Sequence, residues 1–300
     1  MNRTTILVTG ANTGIGRACA EQLAAPGIRL VLACRSREKT EPVLDEVRKR
    51  GAEAEFLKLD LGDLSGAAEA GRAFARANDT LDVLINNAGL AGSRGTTRDG
   101  YELAFGTNHL GHFAFTLPLL PLLEKRASSG RGTGRIVNVS SGNHLRCSGI
   151  DFDALRTSTK SRTGLPEYGV SKLANVLFTA ELRRRHPNIT SVSMNPGRIA
   201  SDVWRSAPPF VFSIMKLVLP MGTVETGGAT LVHAMNVTAE PGEDLPLFFN
   251  KQKPQAANPL AHSEDLASKL WAYSEEAVAA AMASSMVSPA QAEASHGATA

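Results

Sequence analysis

Three cysteines in 300 residues, Cys19, Cys34 and Cys147, are too few and too irregularly placed for a disulfide framework. None forms a CxxC pair or a ligand-like spacing with histidine, and so sparse a set fits a reducing compartment. Aromatics are only 5% of a chain that is 43% hydrophobic, so the core must be built from Val, Leu, Ile and Ala. No apolar run reaches the roughly 18 residues of a membrane span. The nearest approach, Pro209 to Met221, is short and broken by Lys216. A net charge of +3, from 32 basic and 29 acidic residues, is too small and too well mixed to point to nucleic acid. The basic clusters Arg48-Lys49-Arg50 and Arg183-Arg184-Arg185 fall at expected helix C-termini, where positive charge suits the dipole, and read as solvated ends. Arg3 leads straight into strand-like Thr4 to Val8, leaving no room for a signal peptide. These features point to a soluble, cytoplasmic protein.

What is present is alternation. Strand-like residues 6–9 lead to a helix near 14–25, 29–34 to 37–50, and 54–59 to 63–78. Residues 82–86 precede a long helix over 102–125; strands at 134–140 and 190–194 flank a helix over 168–185 that Pro187 stops. A helix over 224–236, a short strand over 245–250 and a helix over 264–283 follow. Strands alternating with helices predict βαβ units: a single-domain, Rossmann-type, doubly wound parallel sheet with helices on both faces. Its ligand crevice should lie at the carboxyl ends of the strands. The domain is expected to span residues 1–283, with the Ala/Ser-rich residues 284–300 as a disordered tail.

Thr9-Gly10-Ala11-Asn12-Thr13-Gly14-Ile15-Gly16 closes a strand and opens a helix. Glycines let a backbone approach a pyrophosphate, and a helix N-terminus offers unpaired N–H groups. The spacing TGxxxGxG differs from the GxGxxG fingerprint of the usual dinucleotide turn. An NAD-binding turn places an acid at the end of the second strand, but here Cys34-Arg35-Ser36-Arg37 has no carboxylate. Arg35 is therefore expected to clamp a 2′-phosphate, making NADP the cofactor, with Arg17 and Arg37 the next candidates. Asp60 has two readings: an acid at a helix N-terminus, or an acceptor for the adenine amino group. Asn86-Asn87-Ala88-Gly89 sets two amides beside small residues that permit close approach to a ligand.

In Tyr168-Gly169-Val170-Ser171-Lys172 the phenol and the ammonium stand at i and i+4, on one helical face. A free tyrosine, with a pKa of about 10, is a poor acid or base at neutral pH, and a nearby positive charge is expected to lower that value. His109 and His112 share a face too, but with no third ligand nearby they read as packed helix residues, and no metal site is expected.

With TGANTGIG, NNAG, Tyr168 and Lys172 in this order, residues 4–250 resemble the short-chain dehydrogenase/reductase family. TNHLGHF, ACR and SKLANVLFTAEL are most similar to its retinol dehydrogenase-like branch. The resemblance implies that Ser141 is the catalytic serine, with Ser140 its neighbour, and that Asn108 is the helix asparagine holding a water on the lysine. It implies a cofactor site built from Gly10, Asn12, Thr13, Gly14, Ile15 and Gly16, then Arg35, Asp60 and Leu61, then Asn87, Ala88 and Gly89. Tyr168 and Lys172 complete it, with Pro196, Gly197 and Ile199 beside the nicotinamide. Ser201 stands where the family often has a carboxamide-binding threonine. The separation of Ser141 from Tyr168 is long, as in that branch, whereas the apolar anchor that begins many members is absent.

The function expected is an NADP-dependent oxidoreductase interconverting an alcohol with a ketone or aldehyde, on a small apolar substrate. Tyr168 is the acid/base, Lys172 holds the ribose and tunes the phenol, Ser141 positions the carbonyl oxygen, and Asn108 sustains a proton relay. Two alternatives stand beside it: an enone (C=C) reductase on the same cofactor site, and a non-catalytic NADP-binding scaffold. Residues 202–221, with Val203, Trp204, Phe210, Phe212, Ile214, Met215 and Leu217, are expected to form an apolar lid, a packed helix pair or a dimer surface.

Overall fold

Strand β1 (Thr4–Thr9) is apolar on both sides: Ile6 and Val8 point into one core, Leu7 into the other, and all three are fully buried. A strand of this kind needs helices on both faces of a parallel sheet. In the computed structural model, which describes residues 3–130, 132–199, 221–239 and 244–294 (side chains to residue 286), β1 pairs in parallel with β2 (Ile28–Cys34) and β4 (Val83–Asn86). The remaining strands are β3 (Glu53–Lys58), β5 (Gly134–Val139), β6 (Ile189–Asn195), β7 (Phe248–Asn250) and β8 (Lys253–Pro254). Their order is β3-β2-β1-β4-β5-β6-β7-β8. The chain winds outward from β1 in one direction and then from β4 in the other, so the crevice opens above β1 and β4.

Helices α1 (Gly14–Leu23), α2 (Arg37–Lys49) and α6 (Val224–Ala234) cover the face carrying Ile6, Val8, Leu30, Val137 and Met194. The opposite face, with Leu7, Val31, Leu84 and Ile136, packs against four others. These are α3 (Leu64–Ala77), α5 (Leu165–Arg185), α7 (Glu264–Ala294) and a helical run over residues 103–128 that we call α4. The α4 run widens into a π-turn at Gly106–Leu110, with the Gly111 N–H reaching back to the Gly106 carbonyl. Single π-turns inside α-helices concentrate at functional sites, and Asn108 lies within this one.

The structure corrects four expectations. Lys253–Pro254 forms an antiparallel edge strand that the sequence pattern did not reveal; an edge is where a strand proline is tolerated. Helix α7 continues to Ala294, so residues 284–294 are helical instead of a disordered tail. Arg183 is no solvated helix end: its guanidinium donates to the carbonyls of Ser191, Leu245 and Pro246 at 2.7, 2.6 and 2.8 Å, tying α5 to the chain entering β7. Asp63, not Asp60, caps α3 by accepting from the Gly66 N–H at 2.9 Å. Ser201 and the lid residues 202–220 lie outside the described residues. No helix among the described residues is long and apolar enough to cross a membrane.

Candidate active site

A cleft of about 1470 Å³ runs across the carboxyl ends of the strands. Its floor is the turn after β1. Gly10 has φ +66°, and a β-carbon there would sit 2.9 Å from Ala88 Cα and Cβ; one at Gly16 would sit 2.5 Å from the Gly10 carbonyl oxygen. The turn and the Asn87-Ala88 segment therefore approach closely enough to be joined: the Asn87 and Ala88 N–H groups both donate to Thr9 Oγ1 at 2.9 Å, and Asn87 Nδ2 donates to the Thr9 carbonyl at 2.8 Å. The first turn of α1 opens onto this floor and carries no acidic residue, an arrangement suited to an anion.

At the end of β2, Arg35, Ser36 and Lys39 line the cleft. The two arginines named as reserves do not. Arg17 pairs with Glu21 at 2.7 Å, and Arg37 lies over the Phe56 ring at 4.8 Å with Glu41 at 3.7 Å. Lys39, in the first turn of α2, is a cation at this strand end that the sequence reading missed. Asp60 lines the cleft beside Leu61, its carboxylate accepting from the Gly62 N–H at 3.0 Å.

Tyr168 and Lys172 occupy the first turns of α5, which Pro166 helps to start. Both are buried, and Lys172 Nζ donates to the Val139 carbonyl at 2.9 Å. Burial pushes the Tyr168 phenol up to about 12, while a hydrogen bond with Ser141 pulls it in the opposite direction. Burial pushes Lys172 down to about 7. The lysine was expected to lower the tyrosine; instead desolvation dominates both groups. Ser140 and Ser141 both line the cleft, but Ser140 is buried and spends its hydroxyl on the Lys172 carbonyl at 2.8 Å. Asn108 is fully buried and is not part of the cleft wall. Its amide bonds the Leu90 N–H at 2.9 Å, the Leu90 carbonyl at 3.0 Å and Ser171 Oγ at 3.0 Å, so it clamps the loop after β4 to α5.

The family model for short chain dehydrogenase matches residues 4–210. The chain belongs to the short-chain dehydrogenase/reductase family. Within it the protein falls in the retinol dehydrogenase-like branch, being 35% identical to retinol dehydrogenase 13 of Homo sapiens over 91% of this chain and 84% of that one. Among solved structures it is similar to an uncharacterized protein from Mycobacterium paratuberculosis, with a TM-score of 0.68, 32% identity, and 92% and 93% of the two chains covered. It is also similar to a short-chain dehydrogenase from Sphingobium yanoikuyae in complex with NADPH, with a TM-score of 0.61, 25% identity, and 76% and 82% covered.

In this dehydrogenase fold, the residues singled out for the cofactor converge on one cleft, from Gly10 through Arg35, Asp60 and Asn87 to Pro196, Gly197 and Ile199. Segments far apart in sequence reach it because the parallel strands β1 to β7 all end on the same edge of the sheet. Among the described residues, no group of three His, Cys, Asp or Glu side chains is placed to hold a metal ion. His112 was read only as a packing residue, yet it and His144 each bond the backbone of a predicted catalytic residue, Asn108 and Ser141 respectively.

Proposed function

We propose that the protein is an NADP-dependent oxidoreductase that interconverts an alcohol with a ketone or aldehyde, working on a small apolar substrate. The observation that carries this reading is the buried Tyr168 phenol, which opens together with Ser141 and Lys172 onto the same cleft as the glycine turn. The cleft suits a dinucleotide: glycines crowd the backbone of the turn against Ala88, and the N-terminus of α1 is free of acid. Arg35 and Lys39 supply the positive charge that a 2′-phosphate requires. A bound nicotinamide dinucleotide supplies the hydride.

With its pKa raised to about 12, Tyr168 stays protonated at neutral pH and is an acid ready for an alkoxide, a stronger base. A protonated phenol is the state from which carbonyl reduction starts. Ser141 orients the carbonyl oxygen and stabilises the charge that develops there. Lys172, near neutrality at about 7, holds the ribose hydroxyls and can restore the tyrosine's proton. Asn108 fixes the loop of Leu90 against α5 and so keeps the lysine in place. Leu90, Leu103, Leu165 and Met221 give the cleft an apolar side suited to an apolar carbonyl.

The test follows nicotinamide absorbance with NADPH and a panel of ketones, aldehydes and enones. Consumption with ketones or aldehydes is expected. Turnover of enones alone would move the activity to C=C reduction, and no turnover with any of the panel would overturn the reading.

A further inference from the structure

Two buried histidines outside the catalytic set are wired alike. His112 Nδ1 lies 2.9 Å from the Asn108 carbonyl oxygen, and its Nε2 lies 2.9 Å from Thr9 Oγ1. His144 Nδ1 lies 2.6 Å from the Ser141 carbonyl oxygen, and its Nε2 lies 3.2 Å from the Asn258 N–H. The partners decide which nitrogen carries hydrogen. Backbone carbonyls only accept, so both Nδ1 atoms must donate. The Asn258 N–H only donates, so His144 Nε2 accepts. Thr9 Oγ1 already receives the Asn87 and Ala88 N–H groups, so it meets His112 Nε2 as a donor; its hydrogen goes to that nitrogen at 2.9 Å in preference to the Ile85 carbonyl at 3.5 Å. Each ring is thus a neutral Nδ1–H tautomer locked at both ends. Burial supports neutrality, pushing His112 down to about 4 and lowering His144 as well.

We propose that His112 and His144 are positioning residues for the reaction, each holding the backbone of a residue in the proton-handling group against a distant segment of the fold. His112 ties the π-turn carrying Asn108 to the end of β1, where the cofactor turn begins. His144 ties the Ser141 backbone to Asn258, beyond the last strand. Asn258 Nδ2 reinforces this by donating to the carbonyls of His144 and Cys147 at 2.9 and 2.8 Å, while the His144 ring packs on Phe248 at 4.5 Å. Ser141 follows β5 and Ser140; its carbonyl also accepts from the His144 backbone N–H at 3.1 Å and its Oγ from the Asn143 N–H at 3.3 Å, so the His144 ring and this turn together set the direction of the hydroxyl. This inference rests on the oxidoreductase reading above.

Asparagine and glutamine separate the two ends of each ring, because the asparagine amide reaches the Nδ1 position and the glutamine amide the Nε2 position. His112→Gln and His144→Gln should lower kcat by roughly ten- to hundredfold, a positioning loss, with the NADPH dissociation constant changed by less than about threefold. His112→Asn and His144→Asn, which keep the donor to the catalytic carbonyl, should recover most of that loss. Independently of activity, histidine ¹⁵N spectra of the parent at pH 7 should show protonated Nδ1 and bare Nε2 for both rings, assigned by their disappearance in the variants. Equal kcat in the paired variants, losses that follow NADPH affinity or melting temperature instead of kcat, or an Nε2–H tautomer at either ring would overturn this inference alone. A parent that turns over no member of the carbonyl panel would overturn it together with the functional reading.

Discussion

Lys172 Nζ stands 5.6 Å from the centroid of the Tyr168 ring, and burial acts on the two groups in opposite senses. The phenol is held protonated, and the ammonium is brought to the point of losing its proton near neutral pH. One desolvated wall thus produces an acid with proton to give and a base close to its own titration point. The i, i+4 spacing set their common face, but burial set their proton affinities.

Tyr168→Phe removes one oxygen and almost no volume. Turnover should fall by about 10²–10⁴-fold, the usual contribution of a positioned general acid. NADPH affinity, read by fluorescence titration, should be nearly unchanged. A variant within a few-fold of the parent would remove Tyr168 from the acid role.

Lys172 makes a stability prediction that needs no substrate. Its folded value of about 7 lies below the 10.5 of the free side chain, so between those limits the unfolded chain binds more protons and stability rises with pH. Below about 7 the folded state must carry the buried charge. Cys19, pushed from 9.0 to about 12, acts in the opposite direction above pH 9, so the readable window is pH 7 to 9. The melting temperature of the parent should climb across that window, and Lys172→Met should flatten the climb. An identical slope in both proteins would show that the lysine stays charged when folded.

Arg35 and Lys39 should divide the recognition of a 2′-phosphate. Arg35→Asp is expected to cost roughly ten- to hundredfold in NADPH affinity and to turn the preference toward NADH, because a carboxylate repels the phosphate but accepts from a bare ribose. Lys39→Ala should weaken NADPH and leave NADH alone. Arg37→Ala should change neither, since that guanidinium rests on Phe56. The comparison is kcat/KM for the two cofactors, and a parent that prefers NADH would refute the assignment.

Asp60 and Asp63, three positions apart, should part company. Asp63→Ala removes the α3 cap and should cost about 1 kcal/mol in denaturant unfolding. Asp60→Ala should leave stability nearly intact and weaken cofactor binding instead. A stability loss confined to Asp60→Ala would reverse the two roles.

The sequence by itself determined the doubly wound sheet, because alternating apolar strands and helices with a period of 3.6 have few other ways to bury both faces. Residue type and local spacing also marked the glycine turn, Asn87, Tyr168 and Lys172, while Ser141 was named only through the family resemblance. Tertiary structure alone decided what depends on neighbours far along the chain. Ser140 and Ser141 are neighbours that both reach the cleft, and the fold tells them apart by engaging the Ser140 hydroxyl with the Lys172 carbonyl. Asp60 and Asp63 both precede a helix, and only the chain direction at Gly66 shows which one caps it. The proton affinities of Tyr168 and Lys172 follow from desolvation, which no local spacing encodes. The pairing of His112 with Thr9 and of His144 with Asn258 spans more than a hundred positions each, so only the folded chain could place those atoms within hydrogen-bond reach.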